Sequence, residues 1–173
     1  MWKLLLFLFL PLSLEAKSLE LKGQTSSIFI EPKEQWVLGK ELFGMPFIYF
    51  SPYTNGQRSN ISFTDSGVEL KLNVNSLEKN QKDYQNIKHK WAKDVGAKSI
   101  SFVPYHKFEN KLGHKIHQIG FNYEHEGKSY FEKSYYIECR GKMLFSKSLR
   151  LRENEGHETA FNDFINKLDC GGV

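Results

Sequence analysis

The sequence predicts an α+β domain: an antiparallel β-sheet with a long central helix and a C-terminal helix packed on it. Three observations lead there. Apolar residues recur at helical spacing over 76–95 and again over 159–169. Alternating runs at 115–125, 129–139 and 143–151 are separated by Gly127 and Gly141, the pattern of an antiparallel meander. A chain of 173 residues that is 40% hydrophobic and 14% aromatic can fill one core, which excludes a disordered or collagen-like chain.

The first sixteen residues stand apart. Trp2 and Lys3 lead into the apolar run Leu4–Leu12, closed by Ser13-Leu14-Glu15-Ala16. The run is about half the length of a membrane-spanning helix. A basic start, a short apolar centre and a small residue before the cut describe a secretory signal peptide. The expected organisation is therefore a signal peptide over 1–16 and a single α+β domain over 17–173, with no transmembrane segment after signal removal. The cut falls near Lys17. Leu14, at the third position before it, is a less usual residue than Ala. No Cys lies at the junction, which disfavours a lipid anchor.

Signal removal takes away Lys3 and Glu15, so the formal charge stays at +4. Spread along the chain, that excess reads as a solvated surface and not as a nucleic-acid footprint. The densest cluster, Lys88-His89-Lys90 with Lys93, reads as the wet face of the central helix.

Export to a periplasmic or secreted location implies an oxidising compartment. The two cysteines, Cys139 and Cys170, are then expected to bridge. Their spacing suits neither a zinc site nor a Cys-x-x-Cys redox motif. Closing a loop of about 30 residues stabilises a fold by about 3.6 kcal/mol in the chain-entropy view.

Taken in order, Ser26–Ile30 reads as a strand ended by Pro32, and 36–50 as strand pieces bent at Gly39, Gly44 and Pro46. Ser51–Arg58 is a loop turning on Asn55-Gly56, and Asn60–Thr64 is a strand. The central helix over 76–95 buries the stripe Leu77, Tyr84, Ile87, Trp91 and Val95. Asn75 or Ser76 caps its start, and Gly96 closes its end. A strand near 98–104 follows, with Ile100 and Phe102. In the meander, Ile119, Phe121 and Tyr123 share one face of the first run. Three-residue turns oppose Cys139 to Met143, Ile137 to Phe145 and Phe131 to Leu151, which keeps the apolar residues on one face. That register sets Glu132 opposite Arg150. Two-residue turns would instead pair Ile137 with Leu144 and turn Ser146 and Arg150 inward. The last helix carries Phe161, Phe164, Ile165 and Leu168 on one stripe. It runs back toward the Arg140-Gly141 turn and brings Cys170 to Cys139.

This order resembles the PsbP-like fold, the α/β/α sandwich shared by the photosystem II extrinsic subunit, a nuclear Ran-binding relative and many small exported bacterial proteins. Four features carry the resemblance over about 25–169. They are the early strand Asn60-Ile61-Ser62-Phe63, the Leu77–Val95 helix, the Gly127 and Gly141 hairpins, and the ending Phe161-x-x-Phe164-Ile165-x-x-Leu168. It is a resemblance of layout, and the cysteine pair is not part of the general pattern. It implies a non-catalytic binding or assembly module. A cystatin-like or nuclear-transport-factor-like sandwich is the second fold considered.

Candidate chemistry is sparse. His114, His117 and His125 are the best metal candidates, but residues three apart on a strand face opposite sides. His117 and His125 share a face about 26 Å apart, so no metal site is expected. No Gly-x-Ser-x-Gly, His-Glu-x-x-His or phosphate-cradling loop is present. Glu124, Glu126, Asp163 and Asp169 could act only with partners brought to them in space, which no local motif supplies. Asn60-Ile61-Ser62 fits a glycosylation sequon but reads as strand. The aromatic run Phe43–Tyr53 reads as core, and the alternation leaves few polar residues forced inward. What the fold leaves unexplained is Tyr53, Asn55, Gln57 and Arg58, a candidate partner-binding loop.

The expected function is an exported, non-catalytic binding or assembly protein of the bacterial cell envelope, with no cofactor and a protein or envelope component as partner. The alternative is a small periplasmic hydrolase or transferase whose active site is assembled from distant residues.

Overall fold

The computed structural model describes residues 18–22, 27–31, 33–54, 56–65, 78–139 and 141–171. The expected signal peptide, the helix caps Asn75 and Ser76, Leu77, Pro32, Asn55 and Arg140 lie outside the described residues. Ten strands and two helices follow in the order β1 (Leu19–Lys22), β2 (Ser27–Ile30), β3 (Val37–Leu42), β4 (Met45–Phe50), β5 (Asn60–Asp65), α1 (Gln81–Val95), β6 (Lys98–Glu109), β7 (Lys115–His125), β8 (Lys128–Cys139), β9 (Lys142–Leu151), α2 (Glu155–Lys167) and β10 (Asp169–Gly171). A seven-stranded antiparallel sheet has the order β3-β4-β5-β9-β8-β7-β6, and β1-β2-β10 form a second, small sheet. The α+β fold class read from the sequence is the one found, although β1 and β10 give no sequence signal strong enough to be anticipated.

The expected strand at 98–104 continues to Glu109. Pro104 does not end it, because it lies on an edge strand and within a register shift, where the ladder needs no hydrogen bond from it. Pairing with β7 shifts register between Lys98 and Ser101 and again between Val103 and His106.

The central helix buries a different stripe from the one expected. Tyr84 and Trp91 do face the sheet, with Trp91 5.0 Å from Tyr123 and 5.7 Å from Phe121 between ring centroids. Ile87 is 66% exposed and Val95 40% exposed. Their places are taken by Ala92 and by Lys88, which salt-bridges Glu132 at 2.7 Å and lies 4.5 Å from the Phe121 centroid. Apolar periodicity passes over a lysine, yet this one has a buried carboxylate and an aromatic face waiting for it. Gly96 closes the helix as expected, in the left-handed conformation at φ 74°.

The meander uses the two-residue register, so the three-residue pairing is corrected. Ile137 opposes Leu144, Phe131 opposes Arg150, Glu132 opposes Leu149 and Cys139 opposes Lys142. Glu126 and Gly127 both sit at positive φ, 49° and 74°, the geometry of a tight hairpin turn that matches strand twist. Ser146 and Arg150 consequently point inward. Ser146 lies opposite Tyr135 on β8 and opposite Phe63 on β5, and all three are fully buried. A small residue between two rings fills the layer to normal density, which a second large side chain would overpack.

On this face α2 packs Phe161, Phe164 and Ile165 against Tyr49, Ile61, Phe63, Tyr135 and Ile137, together with Leu21, Ile28 and Ile30 of the small sheet. The helix ends at Lys167 without a glycine cap. Asn110 Nδ2 donates instead to the carbonyls of Ile165 at 3.2 Å and Leu168 at 2.8 Å. The chain then extends as β10, where Cys170 is disulfide-bonded to Cys139 with Cα atoms 5.5 Å apart. The expected bridge is present. More polar groups are buried than the alternation suggested, among them His117, Glu132, Arg150 and Asn154.

Candidate functional site

The β4–β5 connection begins and ends on buried serines. Ser51 N donates to Ser59 O at 2.9 Å, and Ser59 N donates to Ser51 Oγ at 2.9 Å. Further out, Thr54 and Gln57 exchange backbone hydrogen bonds of 2.8 and 3.0 Å, with Gly56 at φ 72° where a side chain would be strained. The loop is therefore a short ribbon on a fixed base.

That base is tied to α2. The Ser59 hydroxyl and His157 Nδ1 share a 2.7 Å hydrogen bond, and the Trp36 indole meets the imidazole edge-on at 5.9 Å. Burial, then the neighbouring Arg150 charge, lowers the His157 pKa below its ordinary value, favouring neutral imidazole. Its place in the first turn of α2 acts in the same direction.

At the tip the structure brings two of the four expected loop residues together. Tyr53 is 70% exposed, and the Arg58 guanidinium carbon lies 4.3 Å from its ring centroid. The stack limits the freedom of both side chains before any partner arrives. Gln57 contributes through its backbone pair and is half-buried. Asn55 lies outside the described residues. Ser59 and His157 escaped the sequence reading because they are 98 positions apart and belong to no local motif.

The histidines are held separately. His114 Nε2 is 3.0 Å from Asp169 Oδ1. His117 is 2% exposed and sits between Tyr105 Oη, 2.6 Å from its Nδ1, and Glu138 Oε1, 2.8 Å from its Nε2. His125 lies 3.9 Å from Glu126. Among the described residues no three His, Cys, Asp or Glu side chains are grouped to hold a metal.

The chain Glu138–His117–Tyr105 crosses three adjacent strands and has the order of an acid, a base and a hydroxyl. Burial and the nearby charges of Glu78 and Glu138 raise the Tyr105 pKa. A phenol shifted upward is held protonated, the reverse of an activated nucleophile. The other carboxylates singled out from the sequence have structural partners. Glu124 accepts from Ser99 Oγ at 3.1 Å. Asp163 binds Lys33 at 2.8 Å and Lys167 at 3.4 Å, and the Lys33 hydrogen bond leads the causes that hold it below the usual carboxylate range. A cavity of about 410 Å³ at the β7–β8 turn is lined by Gly127, Lys128, Ser129, Leu151, Arg152, Glu153 and Glu155. It contains none of the histidines.

Among the described residues no helix is long and apolar enough to cross a membrane. No protein-family model matches the sequence, and no curated protein matches it. Solved structures do match in fold. LpqN of Mycobacterium tuberculosis, involved in cell envelope biogenesis, aligns with a TM-score of 0.58 over 90% of this chain and 91% of its own, at 12% identity. The cyanobacterial PsbP, CyanoP, of Synechocystis aligns with a TM-score of 0.56 over 90% of this chain and 94% of its own, at 8% identity. The fold is PsbP-like, as the layout implied.

Proposed function

We propose that this chain is an exported, non-catalytic binding or assembly protein of the bacterial cell envelope, which holds a protein or envelope partner through the 51–59 loop. The observation that carries the reading is the Arg58–Tyr53 stack at 4.3 Å. An exposed aromatic and an arginine, ordered in advance on a base pinned by Ser51, Ser59 and His157, have the composition of interface hot spots. Three further features support the reading. The Cys139–Cys170 disulfide fits an oxidising compartment. The apolar run Leu4–Leu12 has the form of an export signal over 1–16 followed by one domain over 17–173. LpqN, of the same fold, is described as involved in cell envelope biogenesis.

The test is capture from an envelope extract. The Tyr53→Ala/Arg58→Ala protein should keep the melting midpoint of the parent and lose its captured partner. Equal loss of folding and capture would make the loop structural.

One observation favours the alternative of a small hydrolase or transferase, namely the Glu138–His117–Tyr105 chain. Tyr105→Phe separates the readings: a hydrolytic or transfer activity of the parent protein that this change abolishes would move the protein into the enzyme class.

A further inference from the structure

Lysine is unevenly distributed over this fold. From Glu78 to His117 the chain carries nine lysines, no arginine and four acidic residues, although the whole chain has a formal charge of only +4. Lys88 is turned inward onto Glu132. Among the described residues, none of the other eight has a carboxylate within 4.0 Å. A charge excess that reads as dispersed along the sequence is gathered by α1, β6 and the β6–β7 turn.

The helix shows how. Lys82, Asn86, Lys90 and Lys93 follow one another along α1 at intervals of three and four, Lys79 lies just before its N-cap, and all are exposed. This stripe lies opposite the inward residues Tyr84, Lys88, Trp91 and Ala92. The register extends the basic surface beyond the helix. Lys107 opposes His117, and Lys115 opposes Glu109. By strand alternation His117 shares a face with Phe121, against which Trp91 of α1 packs. Lys107 and Lys115 are therefore on the α1 side of the sheet. Ile87 is 66% exposed beside Lys90 on the adjoining stripe.

We propose that this side of the molecule docks on the surface of an anionic lipid bilayer, with α1 lying along it. Charge complementarity argues for an anionic partner, and the residue types argue for a bilayer. Every cation here is a lysine, a flexible point charge that attracts an extended anionic surface without geometric demand. Specific phosphate or carboxylate recognition favours the planar arginine fork. Nucleic-acid readers add exposed aromatic faces for stacking, and among the described residues the two highly exposed aromatics, Phe43 and Tyr53, belong to the β3–β4 turn and the β4–β5 loop. Ile87, exposed between Asp83 and Lys90 at the edge of the lysine stripe, suits the boundary between headgroups and acyl chains. A helix of 15 residues lays about 22 Å of this surface down at once. Asp83 and Asp94 flank the stripe and moderate the attraction. The surface is separate from the 51–59 loop, and neither proposal depends on the other.

Vesicle co-sedimentation tests it, using phosphatidylcholine alone or mixed with phosphatidylglycerol, at low and high salt. The full chain is compared with its Lys82→Gln/Lys90→Gln/Lys93→Gln variant, so any contribution of the apolar N-terminal run is common to both. The parent should bind the mixed vesicles at low salt and be released at high salt. At about fivefold per lysine, the variant should bind roughly a hundredfold more weakly. Asp83→Asn/Asp94→Asn should bind more tightly, which keeps the test valid if the lysine variant misfolds. Equal binding of the mixed vesicles by parent and lysine variant, no gain in binding when phosphatidylglycerol is added to phosphatidylcholine, or retention by a soluble polyanion such as heparin without that gain would overturn the proposal.

Discussion

Arg150 Nε lies 2.9 Å from Glu158 Oε2, joining β9 to α2 across the core-side face of the large sheet. Lys133 reaches the other oxygen of the same carboxylate. The Arg150 Nη1 donates to the Leu151 and Arg152 carbonyls at 3.1 and 2.9 Å, so Nε and Nη1 are both paired although the residue is only 9% exposed. Glu158→Ala would leave two sequestered cations without a counter-ion. The expected loss is about 3–5 kcal/mol, measured by urea unfolding with an unchanged m-value. Glu158→Gln should lose less, because its amide oxygen still accepts one hydrogen bond.

Gly120 is required by its surroundings and not by its own backbone angles. A Cβ there would stand 2.6 Å from the Glu132 carbonyl oxygen of β8. Since main chain cannot move aside as a side chain can, Gly120→Ala should destabilise by about 1–3 kcal/mol. Thermal unfolding measures it, and an unchanged midpoint would mean that β7 and β8 are farther apart than described.

The Cys139–Cys170 bridge spans a sequence separation of 31 residues. Cys139→Ser should lower stability by about 3.6 kcal/mol in the chain-entropy treatment. Non-reducing peptide mapping of protein isolated with its thiols blocked should recover the linked peptides.

The lowered His157 pKa has a pH signature. The unfolded chain takes up a proton near the ordinary value of 6.5, while the folded chain resists until a lower pH. At higher pH both states are neutral and His157 contributes no slope. As pH falls through about 6.5, stability should decline until the folded imidazole also protonates, and then level off. In His157→Gln that part of the decline should be missing.

The elements were legible in the sequence wherever period and punctuation agreed. The 115–151 meander follows from alternation with Gly127 and Gly141, α2 from the helical spacing of Phe161, Phe164, Ile165 and Leu168, and the bridge from the topology the two imply. Register was not legible, because alternation assigns polar residues outward. Ser146 is inward because Tyr135 and Phe63 flank it, and Arg150 is inward because Glu158 arrives on a helix that follows it in the chain. Lys88 hid the true stripe of α1 for the same reason: its partner, Glu132, is 44 residues away. At the site, Tyr53 and Arg58 were visible as a loop with no structural duty. Their stacking depends on a turn geometry, and the Ser59–His157 tie on tertiary packing, and neither leaves a mark in local sequence.

Site-specific photo-crosslinking in intact cells tests the binding role most directly. With p-benzoylphenylalanine at position 53, irradiation should yield a discrete covalent product in the envelope fraction. Arg58→Ala should abolish that product while the melting midpoint stays unchanged. No product, or the same products from a control reporter at the exposed Val37 of β3, would contradict a partner-binding loop.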